Sequence, residues 1–213
     1  MEIHAYSELY IESAQNILGH MFDYAINEVS FAPDEFAKRF VASPITKEFE
    51  KGNPTYVAGK TGPEIAKLIL TGSGYSKEFP DEVMYIDRSP EYWAGWSLAY
   101  YQWLRDYHFI HILNAAPLSK IIKMYSIYHE MDISQFVDRL DEILKSFYPQ
   151  TALRRYREIA GLSQSELASM SGVPLRQIQL FEQRQRDIKK AQSQAVLMLS
   201  KALECSMEDL IND

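Results

Sequence analysis

Several side chains in this 213-residue sequence are of types that do chemistry, and their spacing decides which chemistry is open to them. His108 and His111, with His129, Glu130 and Asp132 in "HEMD", supply imidazoles and carboxylates of the kind that bind divalent metals. Their spacing matches no two-histidine helix motif, and histidines in an aromatic helix are more often core or interface groups. "GKT", residues 59–61, invites a phosphate-binding loop, but such a loop needs Gly five positions before the second Gly, and Pro54 stands there. Thr61 reads instead as a helix cap. No G-x-S-x-G or comparable nucleophile signature is present. Cys205 is the only cysteine, which excludes an intramolecular disulfide and a cysteine-based zinc site and suggests a structural role. The expectation is a protein that is not an enzyme and that carries neither metal nor cofactor.

A different chemistry is written in "SQSELASMSGVPLRQIQLFEQ", residues 163–183, which reads as two short helices around a tight corner. At 100° per residue, Ile178 and Phe181 fall on one face of the second helix, where they can pack on Leu167 and the small Ala168. Arg176, Gln179, Leu180 and Gln183 then point away. Such a unit suits entry into a DNA groove. A second concentration lies in "YWAGWSLAYYQWLRDYHFIHIL", where Trp93, Trp96, Tyr100, Trp103 and Tyr107 recur at spacings of three and four. Those five residues are either core or the surface of a partner groove or effector pocket, because Tyr and Trp are favoured in all three.

The elements that must position these groups are helices. An amphipathic stretch over 7–29 is followed by helix starts at Pro33 and Ser43–Pro44, and Gly52–Asn53–Pro54 stops the latter. Thr61 with Glu64 predicts a capping box, "TGSGYSKEFPDE" a loop, and "VMYID" one short strand without a partner. One central helix is expected from Tyr92 through the aromatic run, another from Pro117, and a third, capped by Asp132, to Phe147. "YPQ", residues 148–150, reads as a hinge. Beyond it Thr151 and Ser163 cap two helices, Gly161 and Gly172 supply the turns, and further helices span 175–183, 192–204 and 207–211.

Charge divides the chain at the same place. Residues 1–150 hold 13 Lys and Arg against 21 Asp and Glu, a net of −8, whereas residues 151–190 hold eight basic groups against four acidic ones, a net of +4. The overall −7 therefore conceals a positive region, and a polyanion meets the local field. The reading is all-α, with an acidic helical domain at 1–147, a hinge at 148–150 and a smaller domain at 151–213. No stretch approaches the roughly 18 apolar residues of a membrane span, and the acidic N-terminus lacks the basic start of a signal peptide. A cytoplasmic location away from membranes is expected.

"GLSQSELASMSGVPLRQIQLFEQRQRDI", followed by "LSKALECSMEDLI", resembles the Cro and phage-repressor type helix-turn-helix, the XRE family of regulators. The likeness covers about residues 151–211 and rests on the spacing of Gln164, Glu166, Leu167, Ala168, Gly172, Val173, Ile178 and Glu182. It implies a five-helix, lambda-repressor-like DNA-binding domain acting as a homodimer on an operator in double-stranded DNA. Carried over by position, Gln164 would touch the phosphate backbone and buttress the recognition helix. Leu175, Arg176 and Gln179 would reach base edges, with Gln177 and Leu180 beside them. Arg154, Arg184, Arg186, Lys189 and Lys190 would contact the backbone. Two positions depart from the family: Pro174 replaces the usual capping Ser or Thr, and Arg184 replaces the Gly that commonly follows the recognition helix. The acidic part, through "MFDYA", "FEKGNPTYVAG", "YWAGWSLAYYQW" and "YHEMDISQFVD", more loosely resembles bacterial regulators whose genes sit beside small toxin genes, some of the toxins resembling ADP-ribosyltransferases. That likeness implies an antitoxin that binds a toxin and represses its own operon. The alternative is a repressor that senses a small molecule through the aromatic helix.

Overall fold

Proline in the first turn and a polar cap before it open helix after helix along the chain, because both satisfy backbone groups that a helix start leaves without partners. In the computed structural model, which describes residues 4–83, 87–148 and 150–211, all regular structure among those residues is helical. Most of "VMYID" lies outside the described residues, as does Pro149 of the expected hinge. Two compact units divide the chain, Met1–Leu144 and Lys145–Asp213. Among the described residues no helix is long and apolar enough to cross a membrane.

In the first unit α1 (Ile11–Asp23) runs into a π-helical turn at Tyr24–Glu28, closed by the Val29 N–H on the Tyr24 carbonyl at 3.0 Å. Then follow α2 (Pro33–Ala42), α3 (Pro44–Glu50), α4 (Pro54–Val57) and α5 (Gly62–Gly72), each with Pro in its first turn. Thr61 of "GKT" is a helix cap: its hydroxyl accepts the Glu64 N–H, and the Glu64 carboxylate accepts the Thr61 N–H at 2.7 Å.

The long aromatic helix expected from Tyr92 to Leu113 is instead two helices, α6 (Pro90–Arg105) and α7 (Phe109–Ala115). Asp106 ends α6 in the left-handed conformation, with φ of 53°. Glu50, buried at the end of α3, then caps α7 from a distance, accepting the Phe109 N–H at 2.7 Å and contacting His108 Nδ1 at 2.8 Å. Asp34 of α2 does the same for α8 (Leu118–Tyr128), accepting the Ser119 N–H at 2.9 Å and hydroxyl at 2.6 Å. A carboxylate at a helix N-terminus is favourable because the unpaired N–H groups and the helix dipole both point at it. Finally α9 (Ile133–Phe147) is tied to α6 by Asp141, which receives the Arg105 guanidinium and the Tyr101 hydroxyl at 2.7 Å.

Helices α1 and α6 lie antiparallel and close. A Cβ at Gly95 would stand 2.4 Å from the Leu18 carbonyl oxygen, so the crossing admits no side chain there. Around it Phe22 meets Phe36 and Phe40, and Phe40 meets Phe109, with ring centroids 5.0–5.7 Å apart.

The second unit holds α10 (Ala152–Ile159), α11 (Gln164–Ser171), α12 (Leu175–Glu182), a 3₁₀ turn at Ile188–Lys190, α13 (Ser193–Ala202) and α14 (Met207–Ile211). Its core comprises Leu153, Leu167, Val173, Ile178, Phe181, Val196, Leu199, Leu203 and Leu210, with Ala168 and Cys205 partly buried against it.

Candidate nucleic-acid interface

The two short helices at 163–183 are bounded by local hydrogen bonds that their sequence specifies. The Ser163 hydroxyl accepts the Glu166 N–H, and the Glu166 carboxylate returns to the Ser163 N–H at 2.7 Å. These bonds hold the Glu166 carboxyl below the usual glutamate range. Gly172 closes α11 with φ of 70°, a conformation that Gly adopts without the strain a Cβ would bring. Buried Ser171 ties the corner, donating to the Leu167 carbonyl at 2.7 Å and accepting the Val173 N–H at 3.2 Å. Pro174 stands at the N-cap of α12 with φ of −54°, and no side chain caps that helix.

Ile178 and Phe181 are buried, whereas Leu175, Arg176, Gln177, Gln179 and Gln183 are all partly exposed. Leu180 is partly exposed to the same degree as these, and the N–H groups of Gln185 and Arg186 reach back to its carbonyl.

What locks α12 in place is a polar network that links three helices. Arg157 of α10 donates through Nε to Glu182 Oε1 at 2.6 Å and through Nη2 to Oε2 at 2.9 Å. Its remaining nitrogen, Nη1, donates to the Leu162 carbonyl at 2.7 Å, beyond the end of α10. Gln164, the first residue of α11, adds a bond from Nε2 to Glu182 Oε2 at 2.9 Å. Such a fork-on-carboxylate pair fixes orientation as well as distance. Sequence reasoning missed Arg157. Its place four residues after Leu153, on the inward side of α10, was the available signal, whereas its partner lies 25 residues away.

Arg184 adopts φ of 55°, the conformation that Gly takes without cost. Around it the Arg184 N–H meets the Phe181 carbonyl and the Gln185 N–H meets the Leu180 carbonyl, the paired bonds of a Schellman ending. The departure from Gly therefore leaves the turn intact. Beyond it Arg184, Arg186 and Lys189 border one cleft of about 280 Å³, together with Thr151 and Asp187. Lys190 is exposed one residue further on. Arg154 is elsewhere, on α10, where its Nε pairs with Glu158 at 2.8 Å.

The five aromatic residues of α6 and its extension do not form one surface. Trp103 is 5% exposed, with its indole N–H on the Tyr6 carbonyl at 2.9 Å and its ring stacked on His4. Of the readings open to it, Trp103 is therefore a core residue and not part of a partner or effector surface. Tyr107 stacks on buried Tyr101, and Tyr100 packs against Trp103. Trp93 and Trp96 line a cleft at the start of α6. His108 contacts Glu50 and His129 contacts the Tyr125 carbonyl, and among the described residues no group of three or more His, Cys, Asp or Glu is placed to hold a metal ion. Compared as a whole, the chain matches no protein-family model, no curated protein and no solved structure.

Proposed function

We propose that the Lys145–Asp213 unit binds double-stranded DNA in a sequence-specific manner, and that the protein is a transcriptional repressor working as a homodimer. The observation that carries the reading is the division of α12. Its Ile178 and Phe181 are buried, and Glu182 is locked by Arg157 and Gln164, while Leu175, Arg176 and Gln179 retain access to solvent. A rigid helix presenting Arg and Gln suits base-edge recognition, since Arg matches guanine and Gln matches adenine in the major groove, and Leu suits a thymine methyl. Arg184, Arg186, Lys189 and Lys190 follow in the loop beyond it, where phosphate contacts would set register without reading sequence.

Selection from a random duplex pool, followed by a salt titration on the selected site, tests this. A dimer with about eight phosphate contacts should give a log–log salt slope near −7, and half-sites should lie about 10 base pairs apart. Arg176→Ala and Gln179→Ala should each relax the selected sequence at one position. A flat salt response would sink the reading.

The net of −8 over residues 1–150 supports a further part of the proposal, that the acidic unit takes a basic protein partner, the toxin of a neighbouring gene. Stoichiometric co-purification of the neighbouring gene's product, weakening with salt, is the expected result. A neighbour that elutes separately counts against it.

A further inference from the structure

The cleft at the start of α6 has an unusual wall. Tyr92, Trp93 and Trp96 from α6 and Tyr125, Tyr128 and His129 from the end of α8 border a space of about 440 Å³. That is the size of sites that take small organic ligands. The rings brace one another. Trp93 stands edge-on to Tyr125 and Phe136 at 5.9 and 5.3 Å, and His129 stacks on Tyr125 at 4.2 Å. His129 Nδ1 lies 2.7 Å from the Tyr125 carbonyl oxygen, which can only accept, so that nitrogen carries a proton and the ring orientation is set.

Arg88 supplies the cleft with a cation. Its guanidinium lies 4.1 Å over the Tyr92 ring, and among the described residues its hydrogen bonding is one 3.4 Å contact to Asn16 Oδ1. The same oxygen accepts the Tyr92 hydroxyl at 2.6 Å, so ring and guanidinium are anchored together. Most of the five donors of the guanidinium remain for an incoming acceptor. A second cleft, of about 530 Å³, shares Asn16, Arg88 and Tyr92 with the first and adds Lys60 and His20. Burial, and then Arg88, push the His20 pKa below its usual value. Of the carboxylates there, Asp23 is engaged by Ser89 and Asn27 and Glu82 by Lys67, and Asp87 also borders the space. On the aromatic side, Glu130 lies 3.6 Å from His129 and Asp132 accepts the Ser134 N–H.

We propose that this cleft binds a planar aromatic or heteroaromatic acid, with its ring against Trp93, Trp96 and Tyr128 and its carboxylate or phosphate on Arg88. Aromatic walls favour flat rings by stacking and area burial. A guanidinium rich in free donors favours an oxyanion, whereas a cationic ligand would meet Arg88 on the same wall. The proposal does not depend on DNA binding by the second unit.

Calorimetric titration of the full chain with one ring in three charge states provides the test: indole-3-acetate, indole-3-acetamide and tryptamine, with AMP and adenosine as a phosphate-bearing pair. The expected result is one-to-one saturation by an anionic probe, with an advantage of about tenfold over its neutral counterpart. Arg88→Gln should erase that advantage. Trp96→Ala should abolish binding of every probe, and Trp96→Phe should restore part of it, which separates loss of stacking from loss of folding. The proposal is overturned if neither anion saturates by roughly 5 mM, the range expected for ligands of this size. It is equally overturned if tryptamine binds as well as indole-3-acetate, or if Arg88→Gln leaves the preference unchanged.

Discussion

Glu182→Ala removes the group on which α10, α11 and α12 converge. The Glu182 side chain is 3% exposed and that of Arg157 10% exposed, so the substitution strands a guanidinium that water barely reaches. Removing one partner of a buried ion pair costs about 3–5 kcal/mol. Arg157 would keep its bond to the Leu162 carbonyl at 2.7 Å and its approach to Glu158 at 3.8 Å, which trims the expected loss to about 2–4 kcal/mol. Hydrogen exchange at the Ile178 and Phe181 amides reads this loss locally, as a fall in protection within α12. Replacing both partners, Arg157→Met with Glu182→Leu, should recover stability to within about 1 kcal/mol of the unaltered protein, because neither charge is then left unpaired. The reasoning is refuted if Glu182→Ala costs less than about 0.5 kcal/mol, or if the double replacement is no more stable than the single one.

Three further outcomes are expected. Arg184→Gly should stabilise the second unit by about 0.5–1 kcal/mol in urea unfolding, since φ of 55° strains a residue with a Cβ. Gly95→Ala should destabilise the first unit by about 1–3 kcal/mol, because its methyl would fall 2.4 Å from the Leu18 carbonyl oxygen; an unchanged melting temperature would contradict the close crossing of α1 and α6. Glu166 has a folded pKa lowered from its ordinary value of 4.5, so its contribution is complete above that value and disappears as pH falls below it. In urea unfolding across pH, Glu166→Gln should therefore lower the second unit's stability at neutral pH, flatten its acid limb and leave its stability below the glutamate range little changed.

Signals within a few residues were legible in the sequence. Capping boxes at Thr61 and Ser163, helix starts at prolines, and the left-handed turns at Gly161 and Gly172 each depend on atoms three or four positions apart. The inward pair of α12, Ile178 and Phe181, followed from helical periodicity alone. The break at Asp106 did not, because Trp103 and Leu104 before it and Phe109, Ile110, Ile112 and Leu113 after it continue an apolar pattern that one helix could carry. What favours the break is the Glu50 carboxylate, delivered to the start of α7 from the end of α3.

The candidate interface divides in the same way. Its base-reading candidates are an arrangement of residue types on one helix, which the order of residues determines. The lock that holds them depends on Arg157 meeting Glu182 across 25 residues, and only the folded chain brings that fork to that carboxylate. The aromatic run shows the limit most plainly. A stripe at spacings of three and four says that Trp93, Trp96 and Trp103 share a flank, but burial depends on what packs against each. The chain around His4 and Tyr6 covers Trp103, while the Trp93 and Trp96 end borders a cleft with the end of α8. Local order sets which way side chains face along a helix; the neighbours that cover or leave them come from segments distant in sequence, and tertiary structure alone decides those.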